Sequence, residues 1–284
     1  VSSDRIHFAG PALGFAALGL PDAEPLFRPE AHLVATVGPR AELRRERDGR
    51  IQGRFPLPGT PDHLGGLTGR PGGLGTGWVR FTTFESPAWR HLWHARLTAP
   101  RSVSLAEREW NLLCALRAAG VGTPEPLVVG TRGLGPVARR SFLVVRELEG
   151  AVALPRWLRP DGLGGEPGER ERGLDALAAT LANLLRSRIL LPHLAPDHVR
   201  VSPSSGGDCE HDGDTGPRRN RLPGISIDRV TGGRTTGSQG ACRERIVSLL
   251  DGLDGLLDGS ELERLRRGPA HESALRGPRS RPAS

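Results

Sequence analysis

The chain has 284 residues and a net charge of +7, enough length for one two-lobed domain or two small ones. No run approaches the ~18 apolar residues that a membrane-spanning helix needs, and three cysteines without CxxC spacing imply neither a disulfide framework nor a zinc cluster. All 39 basic residues are arginine, and Lys, Tyr and Met are absent. A coding bias explains the arginine-only set most simply, and affinity for phosphate or nucleic acid is the functional alternative. With 4% aromatic residues the core is expected to rest on Leu, Val and Ala, and 39 glycines with 25 prolines point to an ordered middle between looser segments.

Residues 1–70 show little periodicity. Phe8 to Leu20 follows Arg5 and has the apolar character of a signal peptide, but Pro11, three glycines and Pro21-Asp22 break that pattern. The expected location is therefore cytoplasmic, with contact to the inner face of a membrane left open. Pro56 to Gly77 reads as loop. Trp78 to Phe84 alternates, with Val79, Phe81 and Thr83 on one face, and the run Leu92 to Leu97 is its expected hairpin partner.

Ser104 to Ala119 is the clearest helix. Ser104 and Glu107 form a capping box, Leu105, Trp110, Leu113, Cys114 and Leu116 follow helical spacing, and Gly120 ends it. Cys114 is expected in the core. Strands are expected in VGTPEPLVVG and at Ser141 to Val145. A second helix runs from Leu174 to Leu191, with Leu174, Leu177, Leu181, Leu184 and Leu185 on one face and Pro192 as its stop. A strand at Val199 to Val201 precedes a polar insertion at Ser202 to Arg221, expected to be mobile. There Cys209 and His211 read as a chance cluster rather than a metal site. Ile225 to Val230 is a strand candidate, Ile246 to Leu265 a broken helical stretch, and the chain beyond Gly268 a disordered tail.

The segments WRHLWHARL, SLAEREWNLLCALRAAGVGTPEPLVVG and RRSFLVVRELEG, in that order, resemble the N-terminal lobe of the bacterial lipopolysaccharide (Kdo/heptose) kinase family. The resemblance implies an α+β, bilobal protein-kinase-like fold, with a small antiparallel-sheet N-lobe carrying one helix and a larger, mainly helical C-lobe. It divides the chain into an N-terminal segment (1–70), an N-lobe (71–150), a C-lobe (151–267, insertion 202–221) and a tail (268–284). The implied activity is ATP-dependent phosphorylation of a sugar hydroxyl, with ATP and Mg2+ as cofactors if the chain is active and none otherwise.

Phosphoryl transfer needs a cover for the phosphates, a cation on them, a carboxylate holding that cation, a base and a metal carboxylate. Gly73, Gly75 and Gly77 are candidates for the cover, because glycines let backbone N–H groups approach phosphate, although plain linker is the commoner reading. The resemblance puts His94 in the lysine slot. Neutral imidazole is a poor permanent cation there, and Arg96 on the same strand face is the substitute. Glu109 takes the helix position, where it either pairs with Arg96 or faces water. In LLPHLAPDHVRV, His198 fits the family's metal-binding histidine, which puts His193 in the base slot and leaves Asp197 near it but out of register. In GISIDRV the ungapped match puts Ser226 in the metal slot, whereas a shorter alignment gives it to Asp228.

Three readings fit these residues. The chain is a degenerate family member (a pseudokinase), an active sugar kinase using Arg96, Asp197 and Asp228, or a basic anion binder using Arg218, Arg219 and Arg221. The first is favoured. The implied partner is a lipopolysaccharide core sugar or another saccharide, with contact at an inner-membrane surface. Nucleic acid is not expected, and the sequence names no protein partner.

Overall fold

The computed structural model describes residues 4–11, 13–46, 50–58, 77–85, 104–133, 140–148, 150–159, 161–162, 167–202, 224–228, 230 and 233–275. They fall into two compact units, Val1–Cys114 with Pro124–Glu149, and Ala115–Thr123 with Gly150–Ser284. The mixed α+β class agrees with the sequence.

The first unit is built on a six-stranded antiparallel sheet. Its strands are β1 (Asp4–Phe8), β2 (Glu42–Arg45), β3 (Ile51–Pro56), β4 (Trp78–Glu85), β5 (Pro126–Arg132) and β6 (Arg140–Arg146), in the spatial order β1-β5-β6-β4-β3-β2. Val79, Phe81 and Thr83 are buried along β4, as their alternation requires. β4 pairs with β3 on one edge and β6 on the other; the run 92–97, its expected hairpin partner, lies outside the described residues.

Residues 1–70 contribute three of these strands, a 3-10 turn at Phe15–Leu18 and two helices, α1 (Glu24–Phe27) and α2 (Pro29–Val37). Proline near the start of each helix suits a position whose N–H has no intrahelical partner. Leu18, Leu26, Phe27 and Leu33 pack with Phe55, Phe81, Phe142 and Val144 in one core, and the Thr83 hydroxyl donates to the Leu26 carbonyl at 2.7 Å. Leucine and valine dominate the buried residues, as the composition leads one to expect, and phenylalanine adds to them. Four of the seven phenylalanines, Phe27, Phe55, Phe81 and Phe142, are in this core, and Phe84 is buried as well. Arg132 closes the β1 edge, donating to both Asp4 oxygens at 3.0 and 2.9 Å and to Glu24 at 2.6 Å while its guanidinium lies 4.1 Å above the Phe27 ring.

Helix α3 (Leu105–Ala118) has the expected capping box. The Ser104 hydroxyl accepts from the Glu107 N–H at 3.2 Å, and the Ser104 N–H donates to the Glu107 carboxylate at 2.8 Å. Gly120, at φ +75°, stops the helix as the sequence indicates. Its buried face is Ala106, Leu112, Leu113 and Leu116, and Cys114, expected in the core, is exposed. At 100° per residue Cys114 points away from that face.

The second unit holds a three-stranded antiparallel sheet, β7 (Val152–Ala153), β8 (Val199–Ser202) and β9 (Gly224–Ile227), and helices α4 (Leu154–Leu158), α5 (Pro167–Ser187), α6 (Gln239–Asp251) and α7 (Gly259–Leu275). The five leucines expected on one face of α5 are all buried. The helix ends before Leu191, at Ser187, because Arg188 takes a left-handed conformation and Leu190 then exchanges backbone hydrogen bonds with Arg234. The broken stretch 246–265 resolves into parts of α6 and α7, and α7 continues to Leu275, into the stretch read as tail. Asp258 and Glu261 cap α7 reciprocally at 2.8 and 3.0 Å. Arg218, Arg219, Arg221, Cys209 and His211 lie outside the described residues.

Candidate functional site

In the first unit the candidate group centres on Glu109. It sits on the buried side of α3, and Arg50, immediately ahead of β3, lies against it with Nη1 to Oε1 at 3.4 Å; the two side chains are 18% and 15% exposed. The Arg50 guanidinium also lies 5.0 Å above the Phe84 ring. Among the described residues a cation on Glu109 therefore comes from the β2–β3 hairpin, whereas the sequence offers His94 and Arg96 for the cation position. Those two residues lie outside the described residues, as do Gly73 and Gly75. Gly77 is described. It takes φ +140° and its carbonyl accepts from the Leu57 N–H at 2.8 Å, joining the end of β3 to β4. Three strands precede it in the chain, so it does not stand before the first strand of the sheet. Arg50 was legible in one respect. Asp48-Gly49 between two β-rich stretches is a strong hairpin signal, and it places Arg50 at the start of a returning strand.

A double-mutant cycle tests the pair. Arg50→Gln and Glu109→Gln should couple by about 1 kcal/mol in urea unfolding. Additive effects would mean that the two side chains do not hold each other.

In the second unit, a 3-10 turn at Pro196–His198 leads into β8, and Asp228 follows β9 directly. The Asp228 N–H donates to the His198 carbonyl at 2.8 Å. In the β8–β9 register Arg200 stands opposite Ser226 and Val199 opposite Ile227, and one step further sets His198 opposite Asp228. Because side chains alternate along a strand, His198, Arg200, Ser226 and Asp228 share one face of this ribbon. Arg200 Nε lies 3.5 Å from Asp228 Oδ2, with the aspartate side chain only 10% exposed. His198 Nδ1 is buried without a hydrogen-bond partner, and so is Thr123 Oγ1. Thr123 follows Gly122, which bridges Ser226 on the other flank of β9 and accepts from the Ile227 N–H at 2.8 Å. A Cβ at Gly122 would strike the Ile225 carbonyl, so only glycine permits this approach. His193 and Asp197 are both exposed, on the turns ahead of β8. The fold thus brings together His198 and Asp228, keeps Ser226 buried inside the strand, and leaves the two candidate bases on the surface.

Residues 80–207 match the sequence model described as the lipopolysaccharide kinase (Kdo/WaaP) family. Over this segment the chain is similar to the lipopolysaccharide kinases. No curated protein matches it. A solved structure of WaaP in complex with acyl carrier protein is similar over 94% of this chain and 89% of that one, at 19% identity and a TM-score of 0.57. That likeness speaks for the fold, a kinase-like α+β arrangement. The sequence match begins after Arg50 and ends before Asp228, so the case for both residues rests on geometry alone.

Lipopolysaccharide kinases as a family generally use ATP and Mg2+. Magnesium demands near-octahedral oxygen ligands, usually including one or two carboxylates. Here one carboxylate, Asp228, is already paired with a guanidinium, Ser226 is buried, and the remaining donor is an imidazole. Among the described residues no group of three or more His, Cys, Asp or Glu could hold a metal. The donor set as it stands does not fit Mg2+.

Proposed function

We propose that this chain is a lipopolysaccharide-kinase-like protein with impaired phosphoryl transfer, a pseudokinase. The observation that carries the reading is the loop ahead of β8. Its base slot holds His193, an exposed imidazole, and its one carboxylate, Asp197, is exposed one residue before His198. Loss of a catalytic base commonly costs 10²–10⁴-fold in rate, on the order of three to five kcal/mol of barrier. The absence of lysine from the whole chain supports the same reading, since no ammonium is present to take the phosphates.

The family activity would be transfer of the ATP γ-phosphoryl group to a sugar hydroxyl, with a lipopolysaccharide core sugar as the partner class. The cytoplasmic side of the inner membrane is the proposed location. Among the described residues no helix is long and apolar enough to cross a membrane.

The test is ATP-dependent phosphate transfer to Kdo- and heptose-containing acceptors, followed by mass spectrometry of the acceptor. Little or no product is expected from the wild type, and His193→Asp alone should not create it. Product formation that is lost in Asp197→Asn would overturn the reading in favour of an active kinase with displaced residues.

A further inference from the structure

We propose that the arginines gathered around the first turns of α6, Arg188, Arg234 and Arg243, form a docking surface for an anionic lipid bilayer. The proposal goes beyond the pseudokinase reading and does not depend on it.

Helix α5 ends at Ser187, and Arg188 follows at φ +56°, the one left-handed residue other than glycine among the described residues. Glycine takes that conformation freely after a helix, whereas a residue with a Cβ is strained there. The Arg188 carbonyl accepts from the Gly237 N–H at 2.8 Å, and Leu190 exchanges backbone hydrogen bonds of 3.0 and 2.9 Å with Arg234. A Cβ at Gly237 would meet the Leu190 side chain and the Cys242 sulfur, so these segments pack directly on the start of α6. Burial raises the Cys242 thiol pKa, and Arg188 is near enough to work against that rise. Arg243 is the next residue along the helix.

All three arginines are exposed, and among the described residues none of the three stands in an ion pair. Arg170, Arg200, Arg264, Arg266 and Arg267 of the same unit each have a carboxylate partner. The first turn of α6 carries no acidic residue, so the positive end of its dipole adds to the arginines instead of being offset. Like charges drawn together in this way disfavour folding, and so does the strained backbone that holds one of them. An anionic surface turns the same arrangement into attraction.

The chemistry of the patch selects the partner. Arginine forks match phosphate oxygens. Val247 follows Arg243 by four residues, on the same flank of α6, and is 41% exposed. Basic residues beside an exposed apolar side chain suit the headgroup region, where arginine meets phosphate and valine the acyl boundary. Residues 186–190 and 234–250 contain no aromatic residue, which disfavours single-stranded nucleic acid, held largely by stacking. One exposed valine is too little for the apolar centre of a protein interface.

The experiment is co-sedimentation of the full chain with phosphatidylcholine vesicles, with and without one-third phosphatidylglycerol, at about 0.1 M salt. The wild type should bind the anionic vesicles and not the neutral ones. An arginine at an anionic surface contributes about five-fold in affinity, so Arg188→Gly/Arg234→Gln/Arg243→Gln should weaken binding roughly 100-fold. The control Arg5→Gln/Arg44→Gln/Arg108→Gln removes the same charge from exposed positions of the first unit and should stay within about three-fold of the wild type. Arg188→Gly alone should lose about five-fold in binding without lowering the melting temperature, because glycine relieves the left-handed strain. Arg234→Gln/Arg243→Gln serves if the triple variant does not fold, and circular dichroism establishes folding for each.

The proposal is overturned if the wild type ignores anionic vesicles, if the two triple variants weaken equally, or if the folded patch variants bind like the wild type. A wild type that binds single-stranded RNA but not vesicles would assign the patch to nucleic acid and overturn it as well. These assays contain neither nucleotide nor acceptor, so phosphoryl transfer by the chain is scored independently.

Discussion

Phe142→Ala is expected to lower the stability of the first unit by about 3–5 kcal/mol, the range seen when a fully buried aromatic ring is deleted. Phe142 lies on β6, between β4 and β5, and is wholly buried. The Phe27 ring meets it edge-on at a centroid distance of 4.8 Å, which adds a quadrupole contribution to the area buried. On the neighbouring strand Gly130 lies opposite Phe142, and a Cβ there would collide with the ring. The cavity is therefore lined by α1, β5 and the sheet itself, none of which collapses easily. Hydrogen exchange is the suitable readout, because it resolves the two units. Amides of β4, β5 and β6 should lose protection, while those of α5 should keep theirs. Unchanged exchange throughout the six-stranded sheet would refute this account of the core.

Arg170→Ala is expected to destabilise the second unit by about 2–3 kcal/mol at pH 7, with a pH dependence that identifies the cause. One guanidinium joins three groups through four hydrogen bonds. It donates to the carbonyls of Leu158 and Leu256 at 2.7 and 2.8 Å and to both oxygens of Glu261 at 2.7 and 2.9 Å. It thereby ties α5 to the end of α4, to the turn before α7 and to the first turn of α7. The hydrogen bond from Arg170 holds the Glu261 carboxyl below the usual carboxylate range. A carboxylate whose pKa is depressed by folding adds stability above its unfolded pKa of ~4.3, and that stability is lost as pH falls through the folded value. The gap between wild type and Arg170→Ala should therefore narrow between pH 7 and pH 3 in urea unfolding. An equal gap at both pH values would show that the carbonyl contacts, not the ion pair, carry the effect.

The regular elements were legible wherever a periodic pattern ran long enough to be read. Helix α5 has five buried leucines at helical spacing, and α3 announces its first turn through Ser104 and Glu107. The N-terminal residues gave no such pattern, because their elements are four to nine residues long and gain their burial only from distant parts of the chain. Phe27 is buried by packing on Phe142, and Arg132 is fixed by Asp4, a separation of 128 residues. Cys114 shows a subtler failure. Neighbouring apolar residues suggested one broad helix face, but the buried face is centred on Leu112, Leu113 and Leu116.

The site followed the same rule. Both readings of the metal slot, Ser226 and Asp228, were visible in the sequence. Deciding where each lies required the β8–β9 register, which sets His198 beside Asp228 and Ser226 beside Gly122. Arg50 could not be paired with Glu109 from sequence, because the contact joins a hairpin to a helix 59 residues away. Position along the chain carries no information about such contacts.

The pairing of β1 with β5 has a consequence in time. Among the described residues Asp4 to Phe8 finds its partner in Val128 to Arg132. At the ~5–20 residues per second of synthesis, β1 waits roughly 6–25 s on the ribosome before β5 exists. Throughout that interval its unpaired N–H and C=O groups are a template for any other strand nearby. Neighbouring nascent copies of the same chain are the nearest such strands. Slower translation of residues 9–127 would lengthen the exposure, so the yield of folded protein should be sensitive to codon choice in that stretch.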